Sequence, residues 1–378
     1  MPQKKPFPLK PLFIERMKSL LGKDFDNYLG SLNQQPLKSI RCNTLKISPK
    51  ELKTRLEDKG WIIKQPFKDF LEIMIIEGKK ADENNELVNN KTNHFKDEID
   101  STTKLDNRLN EVLTINNNKI NGFIVNNQNN DNNNKLNNLS PGELGNSLEH
   151  LLGYYYVQDI ASMLPPIILS PKPNEIVLDL CASPGSKTTQ LGAKMQNKGL
   201  IIANDAKLGR LKILSANLER CGVSNTIITK HDGIALCKRL EKTNFRFDKI
   251  LIDAPCSGEG TICSAPKTSL MWNIKTVFNL SRLQKALIAS AISILKPNGE
   301  LVYSTCTHAP EENEEVIDFV LKNFSNIKVE KINLPIRHDM GITLWQDKTY
   351  KKEVEKTCRI YPHKTQTEGF FIAKLKRH

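Results

Sequence analysis

IVLDLCASPGSKTTQLGAKMQNKGLIIAND, residues 176 to 205, decides the fold. It opens with an apolar run, Ile176 to Leu178, that ends on Asp179. The loop LCASPGSKT leads into SKTTQLGAKMQN, which has helical spacing, and a second apolar run ends at Asp205. Strand, tight loop, helix and strand within so short a stretch form a βαβ unit, whose crossover makes the two strands parallel.

The rhythm continues outward. KLGRLKILSANLERCG reads as a helix, TIITKHD and KILIDAP as strands, LSRLQKALIASAISILKPNG as a helix, and ELVYSTC as a returning strand. Such alternation predicts an α/β chain with a doubly wound, mostly parallel, Rossmann-like sheet covered by helices on both faces. Just before it, SLEHLLGYYYVQDIASMLPP (Ser147 to Pro166) reads as helix-like and aromatic-rich. The sheet-bearing part is taken as residues 141–378.

Residues 1–80 read as a separate small α/β unit. PLFIERMKSLLGKDFDNYLGSL has helical apolar spacing, IRCNTLKIS alternates like a strand, and SPKELKTRLEDKG is a helix ending at Gly60. WIIKQ and FLEIMII supply further strands. Between the two parts, residues 81–140 are about one-third asparagine. A tract of that composition buries too little apolar surface to offset its ordering entropy, so it is expected to be a disordered insertion, with VLTI and GFIV as its only hairpin-forming pieces.

Lys and Arg number 55 against 42 Asp and Glu, a formal charge of +13, which favours a polyanionic partner such as nucleic acid. No apolar run approaches a transmembrane span, and MPQKKPFPLK lacks a signal-peptide core, so a cytoplasmic protein without a membrane partner is expected. Eight cysteines without any C-x-x-C pair suggest neither a disulfide scaffold nor a metal site. No sequence feature demands an oligomer, and a monomer suffices.

The loop after the first strand narrows the ligand. Gly185 and Pro184 suit a tight turn, and the amides opening the next helix suit an anionic or carboxylate-bearing group. A nicotinamide fingerprint requires three spaced glycines, and a nucleotide-triphosphate loop requires a glycine five residues before Gly185-Ser186-Lys187; both are lacking. An S-adenosylmethionine site fits what remains. Asp205 closes the second strand, where a carboxylate accepts ribose hydroxyls, and Asp232 closes the third, where adenine would lie. Taken singly, each acid is as well read as a turn residue or helix N-cap. Acids at the ends of successive strands, with Asp253 as the fourth, favour a site.

Two thiols end strands at the same edge: Cys256 in IDAPCSGEGT and Cys306 in YSTCTHAPEENEE, where an acidic helix is expected to begin. Cys42, Cys221, Cys237, Cys263 and Cys358 read as inert core residues, and Cys181 as packing beside the loop's ligand. Cys256 and Cys306 answer a chemical need. Carbon 5 of a pyrimidine is a poor nucleophile until a thiolate adds at carbon 6, and an acid at ring nitrogen 3 must draw off charge. Asp253 is placed to serve the ring and Lys187 to polarise it. Spacing alone leaves the order of the two thiols open, since either one ends a strand.

CASPGSKT, DAPCSGEGT and YSTCT with PEENE together resemble the Nop/Sun family of RNA cytosine-C5 methyltransferases over residues 36–78 and 147–378. RCNTLKI is similar to the family's RRM-like N-terminal region, and CRIYPHKTQTEGFFIAKLKR to its C-terminal motif. The resemblance implies a class I methyltransferase sheet using S-adenosyl-L-methionine, with Cys306 as nucleophile and Cys256 assisting product release. It also implies that Asp253 contacts base and cofactor and that Lys187 belongs to the catalytic set. The cofactor would be held by Cys181, Ala182, Ser183, Pro184, Gly185, Ser186 and Lys187, together with Asp205, Asp232 and Asp253. The family loop more commonly reads CAAPGGKT, so Ser183 and Ser186 depart from it.

The compact plan resembles the family's archaeal tRNA methyltransferases, making tRNA the expected RNA, with ribosomal RNA second. KPFPLKP, KTYKKEVEK and KLKRH are candidate phosphate contacts and equally good solvated surface. Among rival classes, a non-catalytic RNA-binding assembly protein has no chemical use for two edge thiols with Asp253 and Lys187. An ATPase lacks its first glycine, and a DNA target is less well served by the STC cysteine and the RRM-like region.

Overall fold

The computed structural model describes residues 8–80, 136–137 and 142–378. The insertion read at 81–140, including VLTI and GFIV, lies almost wholly outside the described residues.

The chain opens with helices Pro11–Leu21 and Phe25–Ser31. The continuous helical pattern breaks at Gly22, whose positive φ ends the first helix. The small unit then follows as strand β1 (Ser39–Cys42), helix Pro49–Glu57, and strands β2 (Trp61–Lys64) and β3 (Ile73–Lys80). Ser48 caps that helix by accepting the Glu51 amide, and Gly60 at φ 83° turns the chain into β2. Beyond the insertion come β4 (Leu136–Asn137), the short helices Glu143–Asn146 and Leu148–Leu151, and β5 (Tyr155–Val157). The sheet order β2-β3-β1-β5 over a βαββαβ chain is the RRM-like arrangement expected from RCNTLKI.

Two expectations are corrected here. Ser147–Pro166 is not one helical stretch, because Tyr155–Val157 form a strand pairing antiparallel with Ile40–Cys42. The small sheet therefore takes its last strand from residues assigned by sequence to the 141–378 part. IRCNTLKIS is strand only as far as Cys42. Asn43 then accepts amide bonds from Lys46 and Ile47, folding the rest into a turn.

The large sheet begins with β6 (Ile176–Asp179), β7 (Leu200–Asn204), β8 (Thr226–Thr229), β9 (Phe247–Asp253) and β10 (Leu295–Thr305). These five are parallel, in the order β8-β7-β6-β9-β10. Strands β11 (Ile327–Glu330) and β12 (Asp339–Met340) follow, then the separate hairpin of β13 (Leu344–Trp345) and β14 (Lys348–Thr349). Antiparallel β15 (Cys358–Ile360) and β16 (Phe370–Arg377) extend the sheet beyond β10.

Alternation along the strands splits the core in two. Val177, Ile201, Leu251 and Val302 face helices Ile160–Leu169 and Ser186–Lys194. Their chain neighbours Leu178, Ile202, Ile250 and Leu301 face helices Gly233–Lys242, Ile274–Ser293 and Glu314–Asn323. Both faces are thus sealed, and the polar chemistry is confined to the carboxyl edge of the strands. Among the described residues, no helix is long and apolar enough to cross a membrane.

Candidate active site

The loop after β6 is a tight turn closed by the Gly185 amide on the Ala182 carbonyl at 2.8 Å. Gly185 has φ 105°, and a Cβ there would meet Leu214 Cδ1 at 2.9 Å, so the position requires glycine. Ser186 opens the helix Ser186–Lys194 without positive φ, which is why a serine stands there in place of the commoner glycine. The loop's carbonyls are tied from outside. Arg210 donates to Ser183 O, Asn217 to Pro184 O at 2.9 Å, and Arg41 to Ser186 O at 2.6 Å.

A cleft at this edge is lined by Asp179, Cys181, Ala182, Ser183, Pro184, Ser186, Lys187 and Asp253. Two of its polar atoms are buried without a hydrogen-bond partner: Asp179 Oδ1 and Ser183 Oγ. Asp179 Oδ2 accepts from Thr188 at 2.7 Å, and burial pushes the carboxyl up to about 7. Burial also pushes the Cys181 thiol well up, leaving it protonated. A larger, open cavity of about 560 Å³ lies between Asp24–Gln34 and Arg337–Gln366, and none of the strand-end acids or paired thiols line it.

Asp205 and Asp232 follow β7 and β8 but do not line the cleft. Asp205 is buried, accepts the Lys207 amide at 3.0 Å and pairs with Arg210 at 3.3 Å. Asp232 is exposed and caps the helix Gly233–Lys242 through the Ala235 amide at 3.0 Å, so the plainer N-cap reading is realised for it.

On the other side of the cleft, Lys187 is 6% exposed and donates to Asp253 Oδ2 at 2.7 Å and to Ser162 Oγ at 3.0 Å. Ser304 donates to Asp253 Oδ1 at 2.8 Å, and the Phe370 ring lies 5.3 Å from the ammonium. Both oxygens of Asp253 are thereby oriented.

Cys256 and Cys306 meet with their sulfurs 3.2 Å apart. Strands β9 and β10 are parallel neighbours with Asp253 opposite Ser304, which brings the two following loops side by side. Three ties lock them: the Ser257 and Thr307 hydroxyls at 2.7 Å, the Gly260 amide on Cys306 O at 2.9 Å, and the Ser257 amide on Glu312 Oε2 at 3.0 Å. Asn313 clamps the turn at Cys306 by bonding Thr305 Oγ1 at 2.6 Å and Thr307 O at 2.9 Å. The hydrogen bond with Cys306, and then burial, push the Cys256 thiol up. The other five cysteines read as core residues, namely Cys42, Cys221, Cys237, Cys263 and Cys358, are all buried.

PEENEE is not a solvated acidic face. Glu311, Glu312 and Glu314 are buried; Glu311 pairs with Arg16 at 2.7 Å, Glu314 pairs with Arg359, and the helix begins only at Glu314. The basic stretches are also largely committed internally: Lys348 to Glu315, Lys351 to Leu321 O, Lys356 to Val329 O, and Lys374 to Glu300. Ser162 carried no sequence signal, being remote in sequence from Lys187, and Gly260 sits inside the DAPCSGEGT motif but was not singled out. Ser304 sits inside the YSTC motif but was not singled out.

The family described as 16S rRNA methyltransferase RsmB/F matches residues 166–376, more than half of the 378-residue chain. The N-terminal domain of 16S rRNA methyltransferase RsmF matches residues 9–66. The tRNA (cytosine(49)-C(5))-methyltransferase of Pyrococcus abyssi is 48% identical over 233 residues, 62% of this chain and 73% of that protein. Ribosomal RNA small subunit methyltransferase F of Vibrio cholerae is 38% identical over 237 residues, covering 62% of this chain and 48% of that one, so the match spans about half of the bacterial relative. A crystal structure of a methyltransferase homolog protein from Pyrococcus horikoshii superposes with a TM-score of 0.72 at 29% identity, covering 98% of this chain and 95% of that one. With its motif loops gathered at one sheet edge and the family match running through all of them, this chain belongs to the RsmB/F, or Nop/Sun, family of RNA cytosine-C5 methyltransferases.

Proposed function

We propose that the chain transfers a methyl group from S-adenosyl-L-methionine to carbon 5 of a cytosine in RNA, with tRNA favoured as substrate. The observation that carries the reading is the pair of thiols 3.2 Å apart at the same edge as the Lys187–Asp253 pair. The archaeal tRNA relative at 48% identity supports tRNA. Ribosomal RNA is the second reading, favoured by the family match and the bacterial relative. A cytoplasmic enzyme is part of the same proposal.

The cleft suits the cofactor on its own chemistry: two buried acceptors of its lining residues, Asp179 Oδ1 and Ser183 Oγ, have no partner, and the loop's carbonyls are already bonded by Arg41 and Asn217. In this reading Cys181, Ala182, Ser183, Pro184, Gly185, Ser186 and Lys187 hold the cofactor. Asp205 serves its ribose and Asp232 its adenine, while Asp253 lies between cofactor and base. When bound, the cofactor supplies an electrophilic methyl on a sulfonium.

The protein's part is to make carbon 5 nucleophilic. Cys306, whose sulfur lies 3.2 Å from that of Cys256, adds as its thiolate to carbon 6 of the base. Asp253 is set against ring nitrogen 3 as the acid, with the Lys187 ammonium behind it at 2.7 Å as proton source. After methylation the carbon 5 proton must leave together with the Cys306 sulfur. Cys256, 3.2 Å from that sulfur, gives its proton to the departing Cys306 thiolate and takes the one from carbon 5, ring nitrogen 3 returns its proton to Asp253, and the adduct opens.

The test is transfer of label from S-adenosylmethionine to unmodified tRNA and ribosomal RNA transcripts, followed by nucleoside analysis. The proposal expects 5-methylcytosine in tRNA. Label only in ribosomal RNA would replace the substrate and keep the chemistry. No label in either, with the cofactor bound, would favour a non-catalytic RNA-binding protein.

A further inference from the structure

Arg41 belongs to β1 in the small N-terminal sheet, yet its side chain ends inside the large domain. It is 2% exposed, and its guanidinium meets four acceptors: Ser186 O at 2.6 Å, Thr189 Oγ1 at 2.8 Å, Gln158 Oε1 at 2.9 Å and Gln190 Oε1 at 3.2 Å. All four are neutral. A guanidinium buried against neutral acceptors is electrostatically expensive, because no counter-charge offsets its desolvation. Burial lowers Arg41 to about 10 and so registers that expense, while leaving the group charged at neutral pH.

What the expense secures can be followed bond by bond. The first acceptor is a carbonyl of the loop that opens the helix Ser186–Lys194. The partner of Arg41 across the sheet, Tyr156, lies 5.5 Å beneath the guanidinium, and its hydroxyl accepts from Asn217, which also holds Pro184 O. Two adjacent positions of the small sheet thus bear on two carbonyls of one loop, Arg41 directly and Tyr156 through Asn217. From Arg41 a second line runs to the acid. Gln158 passes the contact to Ser162 O at 3.1 Å, Ser162 Oγ accepts from Lys187 at 3.0 Å, and Lys187 reaches Asp253 at 2.7 Å.

We infer that Arg41 is a positioning residue for the proposed reaction: it holds the cofactor loop directly and the Lys187–Asp253 pair through Gln158 and Ser162. The small N-terminal unit is then part of the cofactor site and not solely an arm for RNA. This rests on the methyltransferase reading for its ligand, but it is tested on binding, apart from turnover.

The experiment measures S-adenosylmethionine affinity by titration calorimetry, RNA affinity by filter binding and the thermal midpoint, in wild type, Arg41→Lys and Arg41→Met. Lysine keeps the charge and most of the bulk but cannot span the four acceptors. The expected result for Arg41→Lys is at least a fivefold rise in cofactor Kd, with RNA Kd within twofold and an unchanged thermal midpoint. Arg41→Met, where it folds, should exceed that loss. Equal cofactor affinity in wild type and Arg41→Lys overturns the inference, as does a loss confined to RNA binding. A wild type that binds the cofactor and methylates no RNA sinks the proposed function and leaves Arg41's role standing. A wild type that binds no cofactor overturns both.

Discussion

The sulfurs of Cys256 and Cys306 lie 3.2 Å apart although fifty positions separate them in the chain. The parallel register of β9 and β10 places their loops side by side, and the three ties between those loops hold them there. The resemblance to the family assigned the two thiols their order. In the structure the Cys256 thiol is pushed up by its hydrogen bond with Cys306 and by burial.

Lys187 and Asp253 act as a unit. Lys187→Met and Asp253→Asn should each lower kcat by roughly 10²- to 10⁴-fold, the usual range for loss of a positioned proton donor. Asp253→Asn should also lower the thermal midpoint, because it leaves the buried Lys187 ammonium without its counter-charge. Steady-state kinetics and a melt on the same preparations check both.

Gly260 backs the proposed nucleophile, Cys306. Its amide donates to Cys306 O at 2.9 Å, and an added Cβ would meet the Gly369 carbonyl oxygen at 2.3 Å. Gly260→Ala must push that backbone apart and carry Cys306 with it. A loss of about ten- to a hundredfold in kcat is expected. Cofactor affinity, measured separately by titration, should hold.

Glu312 links stability to pH. Burial pushes its carboxyl from an ordinary 4.5 up to about 8, and its Oε1 has no partner. A carboxyl raised on folding stabilises the fold below its unfolded value, and that contribution is lost as pH climbs through the folded one. Stability should therefore fall between about pH 4.5 and 8. Glu312→Gln should flatten this slope in denaturant melts taken across that range; an unchanged slope would show that other buried acids, such as Asp179, set it.

Arg359 and Glu314 form a bidentate pair at 2% and 0% exposure, and Arg359 also donates to His308 O at 3.0 Å, behind the Cys306 turn. Glu314→Leu alone strands a buried guanidinium and should cost ~3–5 kcal/mol in urea unfolding. The double variant Glu314→Leu/Arg359→Met should recover most of that loss, since replacing both charges removes the desolvation cost.

The core of the fold was legible because the parallel strands are buried on both faces and read as short apolar runs between loops. Asp179, Asp205, Asp253 and Cys306 could be placed at strand ends from those runs alone. Tyr155–Val157 could not, since three residues flanked by helical patterns gain strand character only by pairing with β1. Arg41 was read within an RNA-binding segment, and nothing in RCNTLKI says that its side chain leaves the sheet to reach Ser186. The acids of PEENEE were read only as the start of an acidic helix, because their partners, Arg16 and Arg359, lie far away in sequence. Ser162 was hidden for the same reason, its contact with Lys187 being created by packing of the helix Ile160–Leu169.

The central claim is a covalent bond between Cys306 and the RNA base, with Cys256 needed to release it. The most direct measurement incubates Cys256→Ala, Cys306→Ala and the double variant with S-adenosylmethionine and a tRNA transcript, then resolves the products on a denaturing gel. The account predicts a protein–RNA adduct with Cys256→Ala alone, and none once Cys306 is removed. An adduct that forms with Cys306→Ala instead would reverse the thiols and contradict the account.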